Sequence, residues 1–254
     1  MRSTKYFYII IIAAFSLTVS QAHAHYPWLM MNNHAPELKS QAKAYIGWGH
    51  RFPMDGFLAK DRLVVISMTT PSGNNVALET EEGVLEYATP ELTQSGSYIV
   101  TASQGKGYYT KLRKGGERAP KTGLKNVVRC AYSDNSMKTI FDVRQAGKVD
   151  KVFNHSLEII PLSNPSTLRE GDMLKVRVLH RGKPYDGMVF ATYEGFSADG
   201  AYAYSVGTDD DGIASIRLLD RGRWLIRARA ENAYPDPKVC DVEAFTGTLS
   251  FLLR

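Results

Sequence analysis

Histidines near the start of the chain are the residues whose type and spacing could support metal chemistry. His23 and His25 flank Ala24, at the end of a segment that has the pattern of a secretory signal. Cleavage after Ala24 would make His25 the first residue, so its amine and imidazole could chelate one ion. Cleavage after Ala22 would expose His23, and its amine, two backbone amides and the His25 imidazole could form a square-planar site. Both products suit Ni(II) or Cu(II), and the alternative interpretation is a cleavage site that merely contains histidines.

His50 lies in a segment rich in glycine and aromatic residues, Gly47–Pro53. The glycines leave room beside the imidazole, and Trp48 and Phe52 could shield it from water. This environment suits a metal ligand, because imidazole is the commonest side-chain ligand for transition metals. It equally suits a partly buried structural histidine, and the sequence leaves both interpretations open.

The sequence therefore predicts one site for a divalent transition metal (Ni, Co or Cu), with His25 and His50 as its ligands. Weaker candidates from the same segments are His34, Asp55 and His23. Nucleophile elbows, zinc-protease helices, phosphate loops and dinucleotide fingerprints are absent from the sequence. No catalytic constellation is predicted, and we expect a binding protein, not an enzyme.

Composition narrows the function classes further. Of 254 residues, 44% are hydrophobic and 22% are charged, which is ordinary for a globular protein. The excess of 31 Lys and Arg over 26 Asp and Glu is too small for a nucleic-acid-binding surface. Cys130 and Cys240 are too far apart in sequence for a CxxC motif. They could pair in an oxidising compartment or remain as two buried thiols.

Residues 1–24 have the pattern of a signal peptide. The apolar run from Tyr6 to Val19 is shorter than the roughly 20 residues that a membrane-spanning helix needs. An uncleaved membrane anchor is the alternative. The prediction is a periplasmic or secreted protein that does not remain inserted in the membrane after cleavage.

Short alternating or apolar runs separated by turn residues predict an all-β fold of two β-sandwich domains with at most a short helix. We expect an N-terminal β-domain over residues 25–150 and a C-terminal immunoglobulin-like sandwich over residues 151–254. Gly123–Ser136 is the best helix candidate, and Gln104–Pro120 is predicted to be an exposed loop or an irregular hairpin. Asp209–Gly212 is predicted to be a hairpin turn and not a calcium loop.

Several segments resemble an exported two-domain family that accompanies nickel and cobalt uptake transporters. In the second half these are Leu168–Asp172, Gly182–Pro184 and Gly222–Trp224. Near the start, His25–Trp28 and Gly49–Phe52 match the family's initial histidine with aromatic residues and its later Gly-His-x-Phe segment. The match departs from the family pattern where Pro27 separates the two aromatic residues.

The resemblance implies two β-sandwich domains and a periplasmic role in binding nickel or cobalt for a membrane uptake transporter. Two other functions stay open. An N-terminal histidine with a second histidine on a β-sandwich also describes copper-dependent oxidases that act on polysaccharides. A structural or adhesive module is the third possibility, in which four tyrosines contact a partner or a glycan: Tyr108, Tyr109, Tyr202 and Tyr204.

Overall fold

The computed structural model describes residues 25–58, 62–79 and 86–254. These residues form mainly β-strands and turns, with the short 3-10 helix Pro165–Thr167, which confirms the predicted all-β class. The strands are β1 (Tyr26–Met31), β2 (Lys43–Gly49), β3 (Leu63–Thr69), β4 (Asn75–Ala77), β5 (Glu86–Ala88), β6 (Gly96–Leu112), β7 (Gly116–Glu117), β8 (Val127–Val143), β9 (Leu157–Pro161), β10 (Met173–His180), β11 (Lys183–Pro184), β12 (Met188–Tyr193), β13 (Tyr204–Gly207), β14 (Ile213–Arg217), β15 (Gly222–Ala233) and β16 (Val242–Leu253).

The strands form three sheets, and the largest draws on both halves of the chain. Its path is β13-β12-β15-β16-β8-β6-β3-β4, with β7 attached to β6. The halves meet where β8 and β16 pair in parallel, from Val242 opposite Ala131 to Ser250 opposite Thr139. A three-stranded sheet, β1-β2-β5, and a four-stranded sheet of β9, β10, β11 and β14 complete the fold. The predicted division into two domains at residue 150 remains a prediction. Both halves contribute strands to the largest sheet.

The large sheet has a hydrophobic core on each face. Successive residues of a strand point to opposite faces, and in β8 Ile140 packs with β9, β10 and β14 while Phe141 packs with β1 and β2. In β6 the same alternation separates Ile99 from Tyr98. The parts of β6 and β8 that lie between the two cores are therefore buried on both faces, and they include buried polar residues such as Thr101 and Thr139.

Strand β1 is buried along its whole length. Leu29 and Met31 face the core shared with β2, whereas Trp28 and Met30 face a third cluster that includes Leu225 of β15. Side chains of β16 also bind its backbone: Thr248 Oγ1 donates to the carbonyl of Pro27 at 3.1 Å, and Ser250 donates to that of Leu29. These contacts fix where the start of the described chain lies.

Cys130 and Cys240 form a disulfide, with their Cα atoms 5.0 Å apart. The sequence left their pairing open, because distance between residues 110 positions apart cannot be derived from spacing. Cys130 lies in β8 and Cys240 lies just before β16, so the bond joins the two parallel strands where their pairing starts.

A buried ion pair also joins β8 to β9. Lys138 Nζ donates to Glu158 Oε1 at 2.8 Å and to the carbonyl of Ile159 at 3.1 Å, and both charged side chains are about 98% buried or more. The Glu158 carboxylate also accepts from the backbone amide of Phe153 at 2.9 Å. Burial lowers the pKa of Lys138, and the Glu158 charge opposes that shift.

Three local predictions change or gain detail. The helix predicted at Gly123–Ser136 is wrong: from Val127 onward it is β8, because pairing with both β6 and β16 overrides weak local preference. Gln104–Pro120 is an irregular hairpin, with register shifts after Gln104 and Lys111. Asp209–Gly212 is a turn, in which Asp209 Oδ1 accepts from the amide of Ile213. It is not a hairpin turn, because β13 pairs with β12 whereas β14 pairs with β10.

Candidate metal centre

Antiparallel pairing of β1 and β2 brings the two predicted ligands together. The register places Tyr26 opposite Gly49, so the residues that follow outward, His25 and His50, are neighbours at the same end of the hairpin. Their imidazole ring centres are 4.4 Å apart and the ring planes differ by 36°. His25 is exposed and His50 is half-buried. A ligand in solution can therefore reach both rings.

The loop after β2 is held in place by Asp55. Its Oδ2 accepts from the backbone amide of His50 at 2.8 Å, and its Oδ1 accepts from Arg51. These hydrogen bonds lower the pKa of Asp55, the amide of His50 contributing most. Both carboxylate oxygens are thus engaged, and Asp55 positions the backbone of His50.

Glycines in and around this loop accommodate neighbouring groups, not the imidazole of His50. Gly49 has φ of +147°, and a Cβ there would collide with the Asp55 carboxylate. Gly200, at φ of +77°, lies against the carbonyl of His50, where a Cβ would approach to 2.5 Å. Gly47 makes room for the indole of Trp28, whose Nε1 donates to the carbonyl of Pro53 at 3.0 Å. Close packing therefore fixes the loop that carries His50.

A polar network lies beneath the paired histidines. The Tyr202 hydroxyl donates to the Tyr26 hydroxyl at 3.0 Å, and Arg227 donates to Tyr202 at 2.8 Å. The Arg227 guanidinium also stacks over the Tyr26 ring at 4.2 Å. Burial is the main cause of the raised pKa of Tyr26, so this phenol stays neutral at ordinary pH. Tyr26 lies 6.4 Å from His50 between ring centres.

The geometry fits two nitrogen ligands on adjacent positions of one metal ion. With metal–nitrogen distances of about 2.0–2.1 Å, two imidazoles at right angles about an ion have ring centres roughly 4–5 Å apart. Within residues 25–58, 62–79 and 86–254, no group of three or more His, Cys, Asp and Glu side chains is placed to hold an ion. The described side chains therefore bring two imidazoles together here and no third group of that kind.

His34, one of the weaker predicted ligands, does not join this pair. His34 lies beyond the opposite end of β1, where its carbonyl accepts from the amide of Asp142 and its side chain is 6% exposed. A cavity there has room for about one water, beside the buried His34 Nε2, which has no hydrogen-bond partner among the described residues. His23 lies outside the described residues.

We expect His34 to destabilise the protein in acid. Burial, with Arg223 and Arg254 nearby, lowers its pKa to about 4. The unfolded chain therefore binds a proton near the ordinary imidazole value of about 6.5 while the folded chain does not, and stability falls as the pH drops from about 6.5 to 4, by up to about 3 kcal/mol. Urea unfolding at pH 7 and pH 4.5 should show a smaller loss for His34→Gln than for the wild-type protein. Equal losses in the two proteins would contradict this assignment.

Sequence reasoning missed the groups that surround the pair. Arg62 stacks over Trp48 at 4.1 Å, and Trp48 in turn contacts the His25 ring, with centres 5.9 Å apart. Arg227 and Tyr202 come from distant strands and loops, and no local pattern links them to His25. Of the four tyrosines proposed as adhesive contacts, Tyr109 is 50% exposed, while the other three are half-buried.

The family comparison matches residues 22–232 to a domain of unknown function, DUF4198. The chain belongs to the DUF4198 family. The matched span includes both histidines of the candidate metal centre and most of the strands. No curated protein matches the chain.

Solved structures give only distant similarity. Murine CEACAM1b matches with a TM-score of 0.22 and 9% identity, covering 91% of this chain and 99% of its own. The D0-D1 domain of intimin matches with a TM-score of 0.21 and 13% identity, covering 88% of this chain and 97% of its own. The three N-terminal domains of the bacteriophage RB49 outer capsid protein Hoc match with a TM-score of 0.21 and 9% identity, covering 91% of this chain and 59% of their own. Scores this low carry no argument about function. Among the described residues of this DUF4198 chain, no helix is long and apolar enough to cross a membrane.

Proposed function

We propose that this DUF4198 protein is exported and binds one divalent transition-metal ion, nickel or cobalt, through His25 and His50. The observation that carries the proposal is the 4.4 Å separation of the two imidazole rings at an exposed end of the β1–β2 hairpin. Imidazole nitrogens suit nickel, cobalt and copper better than they suit magnesium or calcium.

The proposed site is completed by the amine of His25, released when the signal segment is removed after Ala24. The amine and imidazole of one residue form a chelate ring, so ordering a single residue supplies two ligands. β1 is buried along its length and fixed by β16, which holds the new terminus beside His50. Three nitrogen ligands leave open positions on the ion, and a site with open positions can release its metal to another protein.

The proposed recipient is a membrane uptake transporter, as the resemblance to the transporter-associated family implies. The exposure of His25 supports this role, because transfer requires that a second protein reach the ion. A carrier needs no catalytic groups, and we propose binding without turnover.

The proposal is tested by metal titration of the processed protein. Intact mass establishes that the chain starts at His25, and calorimetry then measures the binding of Ni(II), Co(II), Cu(II) and Zn(II). We expect one ion per chain, with affinity that falls as the pH is lowered because ligands must be deprotonated. His50→Ala should weaken binding by more than about 100-fold, since even the loss of an outer-shell partner costs about 10–100-fold.

Two controls separate the terminal amine from the side chains. One alanine added before His25 keeps every side chain but removes the chelate ring, and it should weaken binding as strongly as His50→Ala does. His180→Ala removes a half-buried histidine of β10 that packs on Phe245, and it should leave the affinity unchanged. Absence of heat with all four metals would overturn the proposal. Reductant-dependent oxygen consumption by the copper-loaded protein would overturn the part that excludes catalysis.

A further inference from the structure

The hairpin of β6 and β8 extends beyond the rest of the large sheet. β3 pairs with β6 only as far as Gln104, and β16 pairs with β8 only from Ala131 onward. The intervening residues 105–129 are here called the tip hairpin. Gly107–Thr110 still pair with residues 130–133 of β8, whereas Lys111 and Leu112 pair within the tip hairpin, and its short strand β7 pairs with the end of β6. The tip hairpin therefore projects from the edge where the disulfide closes the sheet.

The tip hairpin concentrates the positive charge of the chain. It contains eight Lys and Arg and one Glu, so its formal charge of +7 exceeds the +5 of the whole chain. Three of the cations are paired among the described residues: Lys106 with Asp134, Lys121 with Asp241 and Arg129 with Glu231. The five exposed cations that form no such ion pair are Lys111, Arg113, Lys114, Arg118 and Lys125.

Apolar groups lie among these charges. Tyr109 is 50% exposed and Val128 is 57% exposed, and both belong to the tip hairpin. An exposed aromatic and an exposed aliphatic side chain between cations are typical of surfaces that contact the headgroup region of a bilayer, where amphipathic side chains are stable.

The base of the tip hairpin is rigid. Cys130 is bonded to Cys240, and the amide of Lys121 donates to the carbonyl of Val239 at 3.0 Å. Tyr108 and Tyr234 share a hydrogen bond of 2.6 Å between their hydroxyls. The charges are thus presented on a preformed projection, so binding costs little ordering of the backbone.

We propose that the tip hairpin docks this protein on the anionic lipid surface of a membrane. Charge complementarity favours lipid over an acidic protein, because the five cations lie at irregular intervals along the end of β6 and the loops between β6 and β8. A fluid layer of phosphate headgroups can adapt to such an irregular arrangement. Each basic residue near such a surface strengthens binding about fivefold. This inference is independent of the proposed metal function.

The test is co-sedimentation of the processed protein with vesicles. Vesicles of phosphatidylcholine and phosphatidylglycerol in equal parts should bind the wild-type protein at low ionic strength, and vesicles of phosphatidylcholine alone should not. Raising the salt to about 1 M, where the screening length is about 3 Å, should release it. Replacing the five unpaired tip cations with glutamine should lower the partition coefficient by at least about 100-fold.

A control variant loses the same number of positive charges at positions outside the tip hairpin. It carries glutamine at five exposed cations outside the tip hairpin, namely Lys148, Arg169, Lys175, Arg177 and Lys183, and should bind vesicles nearly as well as the wild-type protein. Equal losses in the two variants would overturn the proposal, because net charge alone would then explain binding. Binding to soluble polyglutamate with none to the anionic vesicles would overturn it in favour of an acidic protein partner.

Discussion

Replacing both Cys130 and Cys240 with alanine is expected to lower the free energy of unfolding by about 4–5 kcal/mol. The bond closes a loop of 110 residues, and on the chain-entropy model a cross-link over so long a loop removes much of the freedom of the unfolded chain. Both cysteines are fully buried, so truncation also removes core contacts. Urea denaturation of the oxidised wild-type protein and of the double variant measures the difference.

Reduced wild-type protein is the control for this prediction. After unfolding and refolding in the presence of reductant, it should have nearly the same free energy of unfolding as the double variant. The remaining difference is the packing contribution of the two sulfur atoms that the variant lacks. A difference below about 1 kcal/mol between the oxidised protein and the variant would contradict the prediction. Labelling of two thiols in the denatured, unreduced protein would show that the bond is absent.

Lys138→Met is expected to destabilise the protein by about 3–5 kcal/mol, because it leaves the Glu158 carboxylate buried without its cation. Glu158 is 2% exposed, so water cannot replace the lost ammonium group. Methionine has a similar length, which keeps the cavity small. The free energy of unfolding from urea titration at neutral pH is the measurement.

A double variant separates the charge from the packing. Lys138→Met combined with Glu158→Gln removes both charges and keeps an acceptor for the amide of Phe153. This double variant should be more stable than Lys138→Met alone, because no buried charge is left unpaired. If the two substitutions destabilise additively, the pair is not coupled and the predicted mechanism is wrong.

Much of the fold could be predicted from local pattern. The short runs separated by turn residues, on which the all-β prediction rests, include the residues of β10 (Met173–His180) and β12 (Met188–Tyr193). The start of β8 could not be predicted, since Val127–Ser136 has little apolar character and is a strand because two neighbours pair with it. β1 was missed for the opposite reason: it is buried on both faces and shows no alternation.

The candidate site, like the fold, could be predicted from the sequence only in part. His25 and His50 were selected from residue type, chain position and flanking glycines, and the β1–β2 register brings them together. The prediction that the glycines leave room for the His50 imidazole is wrong, because Gly47 accommodates Trp28 and Gly49 accommodates Asp55. Arg227 and Tyr202 lie more than 170 positions from Tyr26, and one sequence holds no signal for contacts so distant.

The position of β16 has a consequence for how the chain acquires its structure. This strand is the furthest along the chain, yet it lies in the interior of the largest sheet, between β15 and β8. Until it has been synthesised, β8 keeps an open edge and the carbonyls of β1 lack the hydroxyl donors of Thr248 and Ser250. β8 therefore gains its second neighbour, and β1 these two donors, only once residues 242–253 are in place.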